Sequence, residues 1–268
     1  MKKIIYTGCL LLACMFSSCS DFLDKEPYED PTAENVKDEA SAIAMTNAAY
    51  QPMQRPKLYN MRMWALDIVA GNSEVGAGGG DDGIETIQLA NFVTGPDNFA
   101  ALDLWRGPNP GILYCNTVLE NVPNMNISES IKNRCIGEAK FLRASYYFIL
   151  VQLFGDVPLS LTPTKPGDDL FPERVSKDRI YNEVIIPDLL DAIDKLPRRE
   201  EYSSKDLGRA SKGAAAGMLA KVYLTIGQYQ KSLEMCNMVE NLGYVLNSDY
   251  SDCFGAVSYT HLTLPTTP

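Results

Sequence analysis

The stretch Glu138–Leu159, EAKFLRASYYFILVQLFGDVPL, decides the fold. Its apolar side chains form two adjacent stripes at helical spacing. One stripe contains Leu142, Tyr146, Ile149 and Leu153, and the other contains Phe141, Ala144, Phe148 and Val151. Two adjacent stripes predict a helix that is covered on more than one side by other helices. The helix is expected to end near Phe154, because Gly155 can adopt a left-handed C-cap conformation and Pro158 cannot continue a helix.

Arg143 is one of the few polar residues in this helix, and the sequence leaves two interpretations of it open. The side chain can lay its apolar stem along the helix and extend its charge to water. Alternatively, Arg143 forms a partly buried pair with Asp156, just beyond the helix end. Both interpretations give Arg143 a structural role and not a catalytic one.

The composition describes a globular chain and restricts its chemistry. The 268 residues are 46% hydrophobic and 22% charged, with a formal net charge of −10. Such an acidic chain is a poor nucleic-acid binder, because phosphate contacts need clustered Lys and Arg. The single histidine, His261, argues against a His-based triad or zinc site. Carboxylate-pair chemistry stays possible on composition alone.

The cysteines beyond the N-terminus give no metal-binding pattern. Cys115, Cys135, Cys236 and Cys253 are widely spaced and contain no Cys-x-x-Cys pair. Cys115 and Cys236 lie within helical patterns and are therefore predicted to be small core residues. A disulfide remains possible in an exported protein, but the sequence does not assign its partners.

The N-terminus has the pattern of an export leader. Residues 1–18 combine Lys2 and Lys3 with an apolar run and small residues before Cys19. A Cys directly after small residues resembles a bacterial lipobox, so Cys19 is predicted to be lipidated and to anchor the chain. An ordinary secretory signal with an incidental Cys is the alternative. Residues 19–31 are predicted to be a polar tether.

The remaining sequence predicts further helices. They are Thr32–Met53 with Thr32 as N-cap, Leu58–Ala70, Phe99–Pro123 with a break near Gly107–Gly111, a helix from about Ser128, Lys177–Leu196 with Ser176 as N-cap and a bend at Pro187, and a helix-turn-helix unit over Gly208–Gly243. The last unit resembles a tetratricopeptide repeat, with the small residue Ser232 where its two helices would touch. The predicted fold is therefore all-α, with tetratricopeptide-like helix pairs and irregular loop insertions.

Gly71–Asn98 is the longest segment predicted to be irregular. Its glycine-rich part, residues 76–83, lacks the Gly-Lys-Ser/Thr of a phosphate loop and the spaced acids of a calcium loop. No cofactor or metal is therefore expected. The segment is either a flexible connection or a loop that lines a binding surface, since long loops in compact domains are often functional.

Several motifs resemble those of the RagB/SusD family. They are Glu-Ala-Lys-Phe-Leu-Arg-Ala with two following tyrosines and Leu-Phe-Gly-Asp-Val-Pro-Leu, the Asp-Phe-Leu-Asp soon after Cys19, and Gly208–Ala214. The resemblance implies a lipid-anchored surface protein of the outer membrane that binds oligosaccharides and delivers them to a SusC-like TonB-dependent transporter. It places the N-terminal portion of such a domain at residues 32–256. Residues 257–268 do not fit the family and are predicted to be a non-native tail.

The long loop supplies the candidate ligand-binding residues. They are Trp64, Asn72, Asp81, Asp82 and Phe99. Aromatic faces can cover the CH patches of sugars while Asn and Asp bond hydroxyl groups, although the matched family motifs concern the fold and assign no ligand residue. Two other functions are weighed: a helical-repeat interaction scaffold without a small ligand, and a carboxylate-based hydrolase. The hydrolase is disfavoured because no acidic pair sits in an apolar setting.

Overall fold

The computed structural model describes residues 38–76, 83–246 and 249, and these residues are mostly helical. The helices are α1 (Glu39–Tyr50), α2 (Ala65–Val69), α3 (Ile84–Ala90), α4 (Phe99–Arg106), α5 (Pro108–Asn121), α6 (Glu129–Phe154), α7 (Lys177–Ile180), α8 (Ile186–Lys195), α9 (Lys212–Thr225) and α10 (Tyr229–Asn241). Short 3₁₀ turns lie at Gln51–Gln54, Arg62–Trp64, Val122–Asn124 and Arg199–Glu201. The two short strands are β1 (Val157–Pro158) and β2 (Arg174–Val175).

Helix α6 forms the centre of the described fold. It packs against α5 and α8 and also contacts α1. Its side chains are buried on almost every side from Cys135 to Val151, with the exceptions of Lys140 and Phe141. The helix ends at Gly155, which has a φ of 69° and a ψ of −117°. The predicted burial and helix end are confirmed, but Gly155 does not adopt the predicted left-handed C-cap conformation, because its ψ lies outside the left-handed helical region.

Both interpretations of Arg143 are wrong. The Arg143 side chain is buried, and its Nε and Nη2 donate to the Asp188 carboxylate of α8 at 2.7 and 3.0 Å. Its Nη1 donates to Asn116 Oδ1 of α5 at 2.9 Å. Asp156 instead accepts a hydrogen bond from the Lys177 backbone N–H at the start of α7. Arg143 therefore joins three helices and does not reach water or the helix end.

The N-terminal helix predictions need correction. Helix α1 begins at Glu39, where Asp38 caps it by accepting from Ser41 N at 2.8 Å; the predicted N-cap, Thr32, lies outside the described residues. The segment Leu58–Ala70 was predicted to be one helix but forms only a 3₁₀ turn and the five-residue α2. Tertiary ion pairs of Arg62 hold this segment, and apolar periodicity does not encode them.

Helix α3 lies within the segment that was predicted to be irregular. It begins after Gly83, whose φ of 73° only glycine adopts readily. The prediction for Gly71–Asn98 is therefore wrong over residues 84–90, while residues 77–82 lie outside the described part of the chain.

The predicted break near Gly107–Gly111 is confirmed, because α4 ends at Arg106 and α5 begins at Pro108. Pro108 and Pro110 fit the first turn of α5, where backbone N–H groups have no helical acceptor. Gly111 lies directly against the Tyr146 ring of α6, and a Cβ at this position would overlap that ring. The absence of a side chain at residue 111 therefore sets how closely α5 approaches α6.

The segment Lys177–Leu196 is helical but contains a change of helical register. Ser176 caps α7 as predicted, by accepting from Arg179 N. A π-helical turn then spans Tyr181–Ile185 and leads into α8, in which Pro187 lies in the first turn. Because proline has no N–H to continue an i to i−4 ladder, an irregularity at this point follows from the sequence.

Helices α9 and α10 form the predicted helix-turn-helix unit, with Gly227 at a φ of 75° in the turn. Ser232 is buried between the two helices, and its Oγ donates to the Ala220 carbonyl at 2.9 Å. The small residue thus lies at the contact between the helices, as predicted. Helix α9 also packs on α8, so the pair extends the helical stack, and the predicted all-α class is confirmed.

The cysteine predictions are partly confirmed. Cys115 is buried in α5, whereas Cys236 is exposed on α10, so its assignment to the core is wrong. Cys115, Cys135 and Cys236 are free thiols. Cys253 lies outside the described residues.

Candidate functional site

The structure describes only part of the predicted ligand-binding set. Asn72 is exposed just after α2, and its backbone N–H donates to the Asp67 carbonyl at 2.9 Å. Phe99 is the first residue of α4, and 69% of its surface is exposed. Asp81 and Asp82 lie outside the described residues, as does the side chain of Trp64.

An ion-pair cluster joins the Arg62–Trp64 turn to helices α3 and α4. Arg62 Nε donates to Asp103 Oδ2 of α4 at 2.9 Å, and Arg62 Nη1 donates to Glu85 Oε1 of α3 at 3.1 Å. Hydrogen bonds from its own backbone amide and from Arg62 hold the pKa of Glu85 below its ordinary value. The cluster therefore connects α3 to α4, because the carboxylates of Glu85 and Asp103 bind the same Arg62 guanidinium.

Asn98 fixes the start of α4 against α3. Its side-chain oxygen accepts from Ala101 N at 3.0 Å as the N-cap of α4. Its amide nitrogen donates to the Glu85 carbonyl at 2.9 Å and to Gln88 Oε1 at 3.0 Å. Phe99, the next residue, is consequently held beside α3. Asn98 was not among the predicted residues, although an Asn directly before an apolar helix is the signal of an N-cap.

Exposed apolar side chains collect on this part of the chain. We call this set the Phe92–Phe99 surface; its members are Ile84, Ile87, Phe92, Val93 and Phe99. Phe92 is 80% exposed and has a φ of 56°, the one positive φ among the described residues other than glycine. Phe92 ends α3, because its N–H donates to the Leu89 carbonyl at 3.1 Å and the Val93 N–H donates to the Gln88 carbonyl at 3.0 Å; its positive φ therefore belongs to a Schellman-type C-cap. The sequence carries no signal for it, so Phe92 was missed.

Two buried carboxylates serve the fold and not this surface. Glu138 has no exposed surface and accepts from Arg209 Nη1 at 3.0 Å. Burial raises its pKa, an effect that the nearby Arg209 opposes. Asp188 is likewise buried and is held by Arg143. Neither carboxylate is exposed enough to meet a ligand at the Phe92–Phe99 surface.

Two further properties of the described residues concern metals and membranes. Over residues 38–76, 83–246 and 249, no group of three or more His, Cys, Asp or Glu side chains is placed to hold a metal ion. Within the same ranges, none of the helices combines the length and the hydropathy needed to cross a bilayer.

The fold and this surface define a class: an all-α protein of packed helix pairs, with exposed aromatic rings at the end of α3 and at the start of α4. A family model for SusD-like proteins, described as starch-binding and associating with the outer membrane, matches residues 21–224. The chain belongs to this SusD-like family.

Individual relatives agree with that assignment. SusD-like protein P2 from Formosa agariphila is 30% identical over 266 residues, which cover 96% of this chain and 50% of the relative. A SusD-like protein from Bacteroides ovatus is 31% identical over 267 residues, covering 90% of this chain and 45% of the relative. A solved structure of a laminarin-binding SusD-like protein is 30% identical, with a TM-score of 0.74, over 84% of this chain and 49% of that chain. The chain thus spans about half the length of these relatives.

Proposed function

We propose that this chain belongs to a surface-exposed lipoprotein that captures oligosaccharides and delivers them to a SusC-like TonB-dependent transporter in the outer membrane. Membership of a family described as starch-binding supports the ligand class. The laminarin-binding relative supports a glucan in particular. In this proposal the protein binds glycans without cleaving them, and Cys19 carries its lipid anchor.

The exposed ring of Phe92 carries the proposal. The C-cap of α3 fixes the Phe92 backbone, and 80% of the residue is exposed. A saccharide stacked on the ring would bury apolar surface that the described part of the chain leaves uncovered.

The chemistry of the surface suits a neutral sugar. Rings of Phe92 and Phe99 can cover the CH faces of a pyranose, and Asn72, Asp81 and Asp82 are proposed to bond its hydroxyl groups. Trp64 is proposed to add a third ring. Covering about 60 Å² of one ring at about 25 cal/mol per Å² contributes about 1.5 kcal/mol, or about tenfold in affinity.

Isothermal titration calorimetry of the purified chain tests the proposal, with laminarihexaose, maltoheptaose and mannohexaose as probes. We expect the variant Phe92→Ala/Phe99→Ala to weaken binding about 10- to 100-fold, because both ring contacts are lost. Both residues are exposed, so the fold should persist. Tyr229→Ala is the matched control, since Tyr229 is 70% exposed but lies on α10.

Equal losses in the double variant and in the control would contradict the proposed surface. If no probe binds, an interaction scaffold becomes the better description of the protein. If a probe is cleaved, the binding-only proposal falls.

A further inference from the structure

A cleft of about 540 Å³ lies between the α4–α5 break, the C-terminal part of α6 and the loop that follows β1. Its apolar lining includes Ile112, Leu150 and Val157, and its polar lining includes Asn109, Thr164 and Asp169. Small-molecule sites typically have volumes of about 300–1,000 Å³, with mostly apolar walls and a few polar groups. The cleft has this size and this composition.

Trp105 is an aromatic wall of the cleft that the fold holds in place. Its ring meets the Phe154 ring edge to face, with centroids 5.1 Å apart and an interplanar angle of 86°. The Arg174 guanidinium carbon lies 6.0 Å from the Trp105 ring centroid. These two contacts, from α6 and β2, fix the ring before any ligand arrives.

Phe171 is the second aromatic group of the cleft, and its side chain is 89% exposed. It lies on the loop between β1 and β2, whose ends pair as Val157 with Val175 and Pro158 with Arg174. Asp169 Oδ1 accepts from Phe171 N at 2.9 Å, which orients the local backbone. At the start of the loop, Ser160 N donates to the Tyr147 hydroxyl at 2.8 Å. The loop is thus anchored while it presents an uncovered ring.

The cleft is distinct from the Phe92–Phe99 surface. Phe99 and Trp105 both lie on α4, six positions apart. At about 100° and about 1.5 Å per residue, they are separated by about 120° around the axis and about 9 Å along it. The two rings therefore leave the helix on different sides.

We propose that this cleft is a second saccharide-binding site, which takes a neutral pyranose ring between Trp105 and Phe171. Asn109, Thr164 and Asp169 would bond its hydroxyl groups, since each carries a polar group that can accept or exchange hydrogen bonds with them. The carboxylate of Asp169 and the net charge of −10 oppose an anionic sugar. The inference rests on the proposed function for its ligand class, while its residues are independent of those proposed above.

Fluorine NMR of the full chain labelled with 5-fluorotryptophan tests the cleft directly. The sequence contains two tryptophans, Trp64 and Trp105, so Trp105→Phe assigns the two resonances. Laminarihexaose, maltoheptaose and mannohexaose are the neutral probes, and tetragalacturonate is the anionic comparison. We expect at least one neutral probe to shift the Trp105 resonance saturably and the anionic probe to leave it unchanged.

Variants separate the two proposed sites. Phe171→Ala should weaken the Trp105 response about tenfold, because it removes one of the two stacking rings. Leu161→Ala is the matched control, since this exposed residue of the same loop is not part of the cleft lining. Phe92→Ala/Phe99→Ala should leave the Trp105 response unchanged.

Three outcomes overturn the cleft proposal. In the first, no neutral probe shifts the Trp105 resonance. In the second and third, the shift persists unchanged in Phe171→Ala or disappears in Phe92→Ala/Phe99→Ala. The first outcome leaves calorimetric binding at the Phe92–Phe99 surface free to stand. A Trp105 response in a protein whose calorimetric binding is insensitive to Phe92→Ala/Phe99→Ala would instead support the cleft and refute the other surface.

Discussion

The partners of the Arg143 side chain could not be predicted from the local sequence pattern. The sequence placed it next to the apolar stripes of α6, and the partner considered for it was Asp156, just beyond the helix end. The structure pairs it with Asp188, which is 45 residues away, and with Asn116 in a third helix. A partner on another helix depends on how the helices pack, and periodicity within one helix does not specify that packing.

Removing Arg143 should destabilise the fold strongly. Arg143→Met leaves the Asp188 carboxylate buried without its bidentate partner, with Lys140 Nζ 3.8 Å away as a weaker one. Breaking a buried pair from one side costs about 3–5 kcal/mol of unfolding free energy, which urea denaturation measures. The double variant Arg143→Met/Asp188→Leu should lose less than the two single changes added together, because no uncompensated charge remains.

Arg179→Met provides the control, because Arg179 pairs with Glu183 on the surface of the helix. It should leave the urea midpoint unchanged within error. If Arg143→Met also left the urea midpoint unchanged, the buried pair of Arg143 and Asp188 would not stabilise the fold.

The residues around the proposed Phe92–Phe99 surface differ in how far the sequence identified them. Phe99 was identifiable because an aromatic residue opened a helix directly after a long loop. Phe92 was not, because neither its positive φ nor its exposure leaves a pattern in the sequence. Asn98 was identifiable in principle from its N-cap position, but its bonds to Glu85 and Gln88 depend on the unpredicted helix α3.

At the scale of elements, the contact between α5 and α6 depends on a missing side chain. The prolines around Gly107 predicted the break between α4 and α5, and that prediction is confirmed. The requirement for glycine at position 111 was not predicted, because it arises from the Tyr146 ring on a different helix. Element boundaries set by proline and glycine chemistry were therefore predictable, whereas interhelical approach distances were not.

Gly111→Ala and Gly217→Ala should change stability in opposite directions. A Cβ at residue 111 overlaps the Tyr146 ring, and overpacking of this kind costs about 1–3 kcal/mol. Gly217 lies within α9, and a Cβ there meets nothing within 4 Å, so alanine should stabilise the helix by about 0.5–1 kcal/mol. Urea denaturation of both variants measures the two effects. If both variants changed the free energy of unfolding in the same direction, the close contact between residue 111 and the Tyr146 ring would be refuted.

The failed prediction for Leu58–Ala70 has a related cause. Its apolar spacing fits a helix, yet Leu58 is buried within a series of turns and Arg62 binds two acids from later helices. These tertiary contacts outweigh a local preference of a few tenths of a kcal/mol per residue, of the order that helix propensity supplies.

At the scale of the whole molecule, the all-α class and the terminal helix pair followed from apolar periodicity. Helix α6 was predictable because burial on nearly all sides leaves an unusually apolar sequence. The order of packing, with α8 between α6 and α9, was not predicted. It depends on many weak contacts that no single motif carries.

The proposed lipid anchor belongs to this scale, because it determines where the whole chain resides. Growing cells with an alkyne analogue of palmitate should label the protein through Cys19, and Cys19→Ala should abolish the label and release the chain from the membrane fraction. Cys14→Ala, a change within the predicted leader, should retain both properties. Labelling that persists in Cys19→Ala would refute the proposed lipidation site.

The pairing of β1 with β2 has a consequence for how this protein can evolve. Because both ends of the intervening loop are fixed by the same two strands, its length is uncoupled from the positions of α6 and α7. Even a doubling of the loop would add only about 0.6 kcal/mol of closure entropy. Insertions and substitutions over residues 163–173, beyond the hydrogen bonds that tie Ser160 and Thr162 to α5 and α6, can therefore accumulate under selection for new contacts without disturbing the helical frame.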